Sequence, residues 1–141
     1  MVVLFNFWSR STEQHYGNVA VTNNGETVKS YGERQIADYL SSQNIRYLYE
    51  KEARSQGIIF SKHISNPDFY LPDHDVYIEY WGLVYADDRK VREEYVRTMK
   101  WKMRQYYDAK IKFISIYPNN LNYLDWIFRK KFEEVTGNRL P

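Results

Sequence analysis

Two acids in the stretch "PDFYLPDHDVYIEYWG", residues 67–82, have the types and spacing to do chemistry. Read in twos, the stretch is a β-hairpin. Phe69, Leu71, Val76, Ile78 and Tyr80 share one face, and Asp68, Tyr70, Tyr77, Glu79 and Trp81 share the other. With a two-residue loop at Asp73-His74, Asp68 lies directly opposite Glu79. Directly paired Cβ atoms are roughly 4.5–5.5 Å apart, and like charges there repel. A cation in the gap removes that cost. Mg²⁺ suits it, because this hard ion takes oxygen ligands and often binds through one or two carboxylates, waters and a substrate phosphate. A solvated polar face would also explain the two acids, and a three-residue loop would move Asp68 opposite Tyr80.

Helical spacing brings two more residues toward this face. "SYGE" reads as a capping box, with Ser30 as N-cap and Glu33 at the third helical position. Glu33, Ile36, Ala37 and Leu40 share one side of that helix, so Glu33 turns toward the sheet. The capping role and a site role are compatible. On a later helix, Val91, Tyr95, Met99 and Tyr106 form an apolar stripe with Lys102 in its middle. An inward lysine is costly unless it is paired or its ammonium reaches water along its own methylenes. The carboxylate pair is its natural partner.

The elements that must position these residues follow from patterning. Strands are expected at 2–8, 45–50 and 111–117, with a hairpin at 18–29 around Asn23-Asn24-Gly25. Helices are expected at 30–42, 88–108 and 121–135. Residues 51–65 read as an irregular charged connection and 83–88 as a loop. This order predicts an α/β domain with a central mixed sheet flanked by helices. The 141 residues, 43% hydrophobic, suit one domain. Residues 1–29 are expected to form an N-terminal strand and hairpin extension, 30–118 the core and 119–141 a C-terminal helix.

Composition narrows the setting. With no cysteine, disulfides and thiolate metal sites are excluded and an intracellular location is favoured. The run "MVVLFNFW" is too short to span a bilayer and lacks the flanks of a signal peptide. The expectation is a cytoplasmic protein with no membrane partner. Net charge is only +2, but residues 89–112 are rich in Lys and Arg. That run is either a phosphate-attracting face or a solvated helix face. The 14 Tyr and 4 Trp supply core and, where exposed, surfaces on which bases can stack. His15, His63 and His74 show no ligand spacing.

The order helix, three strands, helix, strand, with Pro67-Asp68, Glu79 and Glu33, resembles the PD-(D/E)XK nuclease superfamily, whose fold is restriction endonuclease-like. The resemblance spans about residues 30 to 118. Trp81 stands where the E-x-K pattern has lysine, and some members carry that lysine on the following helix. Lys102 is the candidate here, chosen by its helical face. "YIEYWG" followed by "MKWKMRQYY" is similar to nuclease domains attached to some helicases, and Lys102-x-x-x-Tyr106 resembles the Q-x-x-x-Y element of RecB-type nucleases.

The resemblance implies Mg²⁺-dependent hydrolysis of DNA phosphodiester bonds, with Mn²⁺ as a substitute ion. Asp68 and Glu79 would ligate the metal with the Tyr80 carbonyl, and Glu33 would hold a second ion or a metal water. Lys102 would orient or deprotonate the attacking water. Tyr106 and Glu50 are supporting candidates, and Arg97 and Arg104 are candidates for contact with the DNA backbone. Implied partners are DNA, a helicase or other DNA-processing protein, and a second copy of the chain. The alternatives are a catalytically inactive DNA-binding relative, a dimeric nuclease like a Holliday-junction resolvase, and an interaction protein whose acids are surface charge.

Overall fold

A computed structural model of the chain describes residues 19–50 and 66–141. The strand expected at 2–8 and the connection at 51–65 lie outside the described residues.

The first hairpin pairs β1 (Ala20–Val21) with β2 (Thr27–Val28) in antiparallel register. Gly25 takes φ +86° in its turn, a conformation glycine adopts without steric cost. The Asn23 N–H donates to Asp38 Oδ1 at 2.8 Å, and Asn24 Nδ2 donates to Ser41 Oγ at 2.8 Å. These bonds fasten the hairpin to helix α1 (Tyr31–Ser42), and it forms a separate two-stranded sheet. Ser30 caps α1, its Oγ accepting from the Glu33 N–H at 3.2 Å. Asn44 ends the helix in a left-handed turn at φ 57°, and the Ile45 N–H returns to the Leu40 carbonyl.

The main sheet has four strands in the order β3 (Leu48–Tyr49), β4 (Phe69–Leu71), β5 (Val76–Tyr80), β6 (Phe113–Ile116). The first two pairings are antiparallel and β5–β6 is parallel. A parallel return needs a crossover, and helix α2 (Arg89–Asp108) supplies it. The class is therefore α/β with a mixed sheet. The strand expected at 45–50 is shorter than its pattern implies, because only Leu48 and Tyr49 pair with β4. After β6, a 3-10 turn at Pro118–Tyr123 precedes helix α3 (Leu124–Thr136), so the last helix starts three residues later than expected. Among the described residues, no helix is long and apolar enough to cross a membrane.

Helices cover both faces. Phe69, Leu71, Val76, Ile78 and Tyr80 pack with Ile36 and Leu40 of α1 and with Phe128 and Phe132 of α3. On the other face, Tyr70 and Tyr77 pack with Tyr106 of α2, and Trp81 packs with Tyr95 and Met99. The buried residues of α2 are Tyr95, Met99, Lys102 and Tyr106. A lysine has thus been folded into an apolar stripe.

Gly32 fixes how closely α1 approaches the sheet. A Cβ there would fall 2.2 Å from the Tyr80 ring, inside any real contact distance. Gly32→Ala should therefore destabilise the fold by about 1–3 kcal/mol, despite alanine's better helix propensity. Urea denaturation checks this, and the same change should cost less in a Tyr80→Leu background. An equal cost in both backgrounds would discard the steric explanation.

Candidate active site

The register of the main hairpin is Phe69↔Ile78, Tyr70↔Tyr77 and Leu71↔Val76. Asp68 and Glu79 are the next opposed positions, although the turn occupies residues 72–75 with Asp75 at φ 53°. One position further, Tyr80 faces Pro67, which has no N–H to continue the ladder. The Tyr80 N–H donates to Asp68 Oδ2 at 2.6 Å. The Pro-Asp pair thus ends the strand pairing and anchors the carboxylate at the same point.

Glu79 is fully buried. Its Oε1 accepts from the Tyr106 hydroxyl at 2.5 Å and meets Lys102 Nζ at 2.5 Å. Lys102, 3% exposed, also donates to the Asn66 carbonyl at 3.2 Å, and its ammonium lies 5.8 Å from the centre of the Tyr106 ring. Steps of four along α2 put both side chains over one carboxylate. Glu79 Oε2 is buried and has no hydrogen-bond partner among the described residues.

Burial raises the Asp68 pKa well above the ordinary aspartate value, and the charges of Glu79 and Glu33 raise it further. The Lys102 ammonium and the Tyr80 N–H pull the other way without prevailing. Burial also raises the Tyr106 hydroxyl, which then meets the Glu79 charge.

Glu33 reaches this end of the sheet from the α1 side. Its Oε2 accepts from the Lys29 N–H at 3.1 Å and from the Tyr49 hydroxyl. The capping box is therefore closed one residue further back than Ser30. Burial raises the Glu33 carboxyl, while the Tyr49 and Lys29 bonds lower it. Glu50, at φ 54°, gives its N–H to the Asp68 carbonyl at 2.8 Å and its carboxylate to the Lys29 ammonium. A glutamate in the left-handed region is strained backbone. It ties the end of β3 to the Asp68 position.

Asp68, Glu79, Lys102 and Tyr106 are thus brought together, with Glu33 and Glu50 beside them. Arg97 and Arg104 are not. Each is exposed and lies two residues from buried members of the stripe on either side, on the face of α2 turned away from the sheet. Trp81, in the lysine position of the motif, is fully buried against Tyr95 and Met99. Sequence patterning missed Tyr49, Lys29 and the Asn66 carbonyl, whose roles depend on contacts between distant elements.

The donor set suits a hard divalent cation: a buried Glu79 oxygen with no partner among the described residues lies near a second carboxylate, Asp68, whose ionised form is disfavoured. Among the described residues, no three His, Cys, Asp or Glu side chains converge to hold an ion unaided. Two carboxylates completed by a carbonyl, waters and phosphate is the arrangement Mg²⁺ accepts. Comparisons with protein-family models, curated proteins and solved structures found no match.

Two outcomes are expected. The folded protein holds the Asp68 proton more tightly than the unfolded chain, where aspartate titrates near ~3.9. The resulting stability is complete below that value and is lost as pH rises through the raised folded value. Without divalent metal, Asp68→Asn should flatten this fall and exceed wild type in stability at neutral pH, read by urea denaturation across a pH series. Lys102→Met should cost about 3–5 kcal/mol, because Glu79 is left buried with an uncompensated charge. Adding Glu79→Gln should recover much of that loss, and a double variant no better than the single one would refute the pairing argument.

Proposed function

We propose that the protein is a Mg²⁺-dependent deoxyribonuclease with a restriction endonuclease-like core. The observation that carries this reading is the fully buried Glu79, at the position opposite Asp68, held by Lys102 and Tyr106 on one oxygen and with no partner for the other among the described residues. The helix–strand order and the Pro67-Asp68…Glu79 pattern support the same reading.

In this mechanism Asp68 and Glu79 would hold the ion, with the Tyr80 carbonyl. A bound Mg²⁺ would lower the pKa of a water and offset charge on the phosphate. Tyr106 fixes the Glu79 carboxylate by donating to Oε1. Lys102 orients the attacking water and stabilises charge developing on the phosphate oxygens. Glu33 would hold a water or a second ion from the α1 side, and Mn²⁺ would substitute for Mg²⁺. DNA is the substrate, and a helicase or a second copy of the chain is the natural partner.

One observation favours a second reading. The Lys102 ammonium already neutralises Glu79 at 2.5 Å, as a resident cation would. An inactive nuclease-fold protein that binds DNA would need no more than this pair.

The test is cleavage of labelled single-stranded, duplex, flap and four-way-junction DNA in Mg²⁺ and Mn²⁺. Asp68→Asn should reduce cutting at least ~100-fold, and Lys102→Ala should reduce it similarly where the protein remains folded. Mg²⁺ should raise the Tm of wild type but not of Asp68→Asn, because a ligand stabilises only a fold that binds it. Binding of DNA without cutting in either metal, and no metal effect on Tm, would establish the inactive reading.

A further inference from the structure

Among the described residues, β6 is an edge strand of the main sheet. Along that edge runs an open groove of about 310 Å³ between α2 and α3. Its floor includes Met103, Ile111 and Phe113, and its rim carries Tyr107, Tyr117, Lys112 and Lys131, with Glu134 as the one acid among the described residues lining it. Tyr107 is 67% exposed, yet its ring is set edge-on against Phe113 with centroids 5.2 Å apart. An exposed aromatic whose orientation is already fixed makes a stacking platform at low entropic cost. Tyr85, 58% exposed, is near enough to act on Tyr117, whose pKa is raised by burial, lowered by Ser115 and raised again by the charges of Tyr85 and Tyr107.

Lys131 shows what charge the groove favours. Its ammonium lies 5.0 Å from the centre of the Tyr117 ring and donates to the Ser115 carbonyl at 2.6 Å. Glu134, on the same groove, acts on it through space, but too weakly to offset burial. Burial lowers its pKa, so an anion beside it would relieve a desolvated charge. Lys112 adds an exposed cation. By occupying the Ser115 carbonyl, Lys131 also blocks the edge against an added β-strand, a common protection of sheet edges. That argues against a second copy of the chain, or a peptide strand, as the occupant.

We infer that this groove binds unpaired nucleic acid, with a base stacked on Tyr107 and backbone phosphates at Lys112 and Lys131. Ser115, on the groove wall, is the register partner of Glu79. One strand spacing, about 4.8 Å, separates their positions in the sheet. The groove therefore adjoins the candidate active site and specifies a single-stranded segment as the form of substrate the site receives. As a statement about substrate it rests on the nuclease reading, whereas binding itself does not.

The experiment is fluorescence anisotropy of a labelled oligothymidylate and of a hairpin duplex, both in EDTA so that cleavage plays no part. Wild type should prefer the single strand. Tyr107→Ala should weaken binding roughly tenfold, while Tyr107→Trp stays within about twofold of wild type. Lys112→Gln should reduce the salt dependence of binding. Trp126→Ala, at an exposed aromatic on α3 outside the groove, should leave binding unchanged. No single-strand preference, or binding indifferent to Tyr107, overturns the groove, as does self-association lost in these same variants. Groove-dependent binding without cleavage in Mg²⁺ or Mn²⁺ would sink the nuclease reading alone. Cleavage unaffected by groove variants would sink the groove alone.

Discussion

An ammonium and a carboxylate share the interior between α2 and β5. Removing two ions from water costs several kcal/mol each, and their mutual attraction offsets that only with good geometry and further hydrogen bonds. Lys102 and Glu79 have part of this. The Tyr106 hydroxyl and the Asn66 carbonyl supply additional bonds, yet one Glu79 oxygen is left without a donor among the described residues. Apolar side chains of similar volume would fill the space at no such cost. The pair is therefore weakly explained by stability alone.

The rest of the arrangement follows from keeping this pair in place. Tyr95 and Met99 precede Lys102 on the stripe and pack with Trp81, which fixes the rotation of α2 over the sheet. On the opposite face, Gly32 lets α1 settle against Tyr80, and the Tyr80 N–H holds Asp68. Glu50 secures the Asp68 carbonyl from β3. Three strands and two helices thus converge on a few carboxyl oxygens at one end of the sheet. Burial first, and then repulsion from Glu79 and Glu33, raises the Asp68 pKa, a cost that a divalent cation would reduce.

Particular residues show where sequence reading was sufficient. The alternation of 67–82 placed Asp68 opposite Glu79 because a hairpin's side-chain period is two, and the four-residue turn preserved that register. The stripe on α2 was readable because helical spacing is nearly invariant, and it singled out Lys102 before any contact was known. The reading of 45–50 as a strand overshot because alternation does not report whether a neighbour is there to pair with. Glu33 was placed on the right face, but its partners, Tyr49 and the Lys29 N–H, belong to other elements and leave no mark in local pattern.

By itself the sequence determined the elements, their amphipathic faces and the register of the main hairpin, since each depends on residues close in the chain. The tertiary structure decided which charged groups meet. The Lys102 ammonium could have reached solvent, and only the packing of α2 on β5 brings it to Glu79. The same holds for the groove along β6: Tyr107, Lys112 and Lys131 come from separate elements, and their convergence follows from sheet order and from how α2 and α3 flank the edge. Local pattern sets which way a side chain points. What it meets there depends on how distant elements pack.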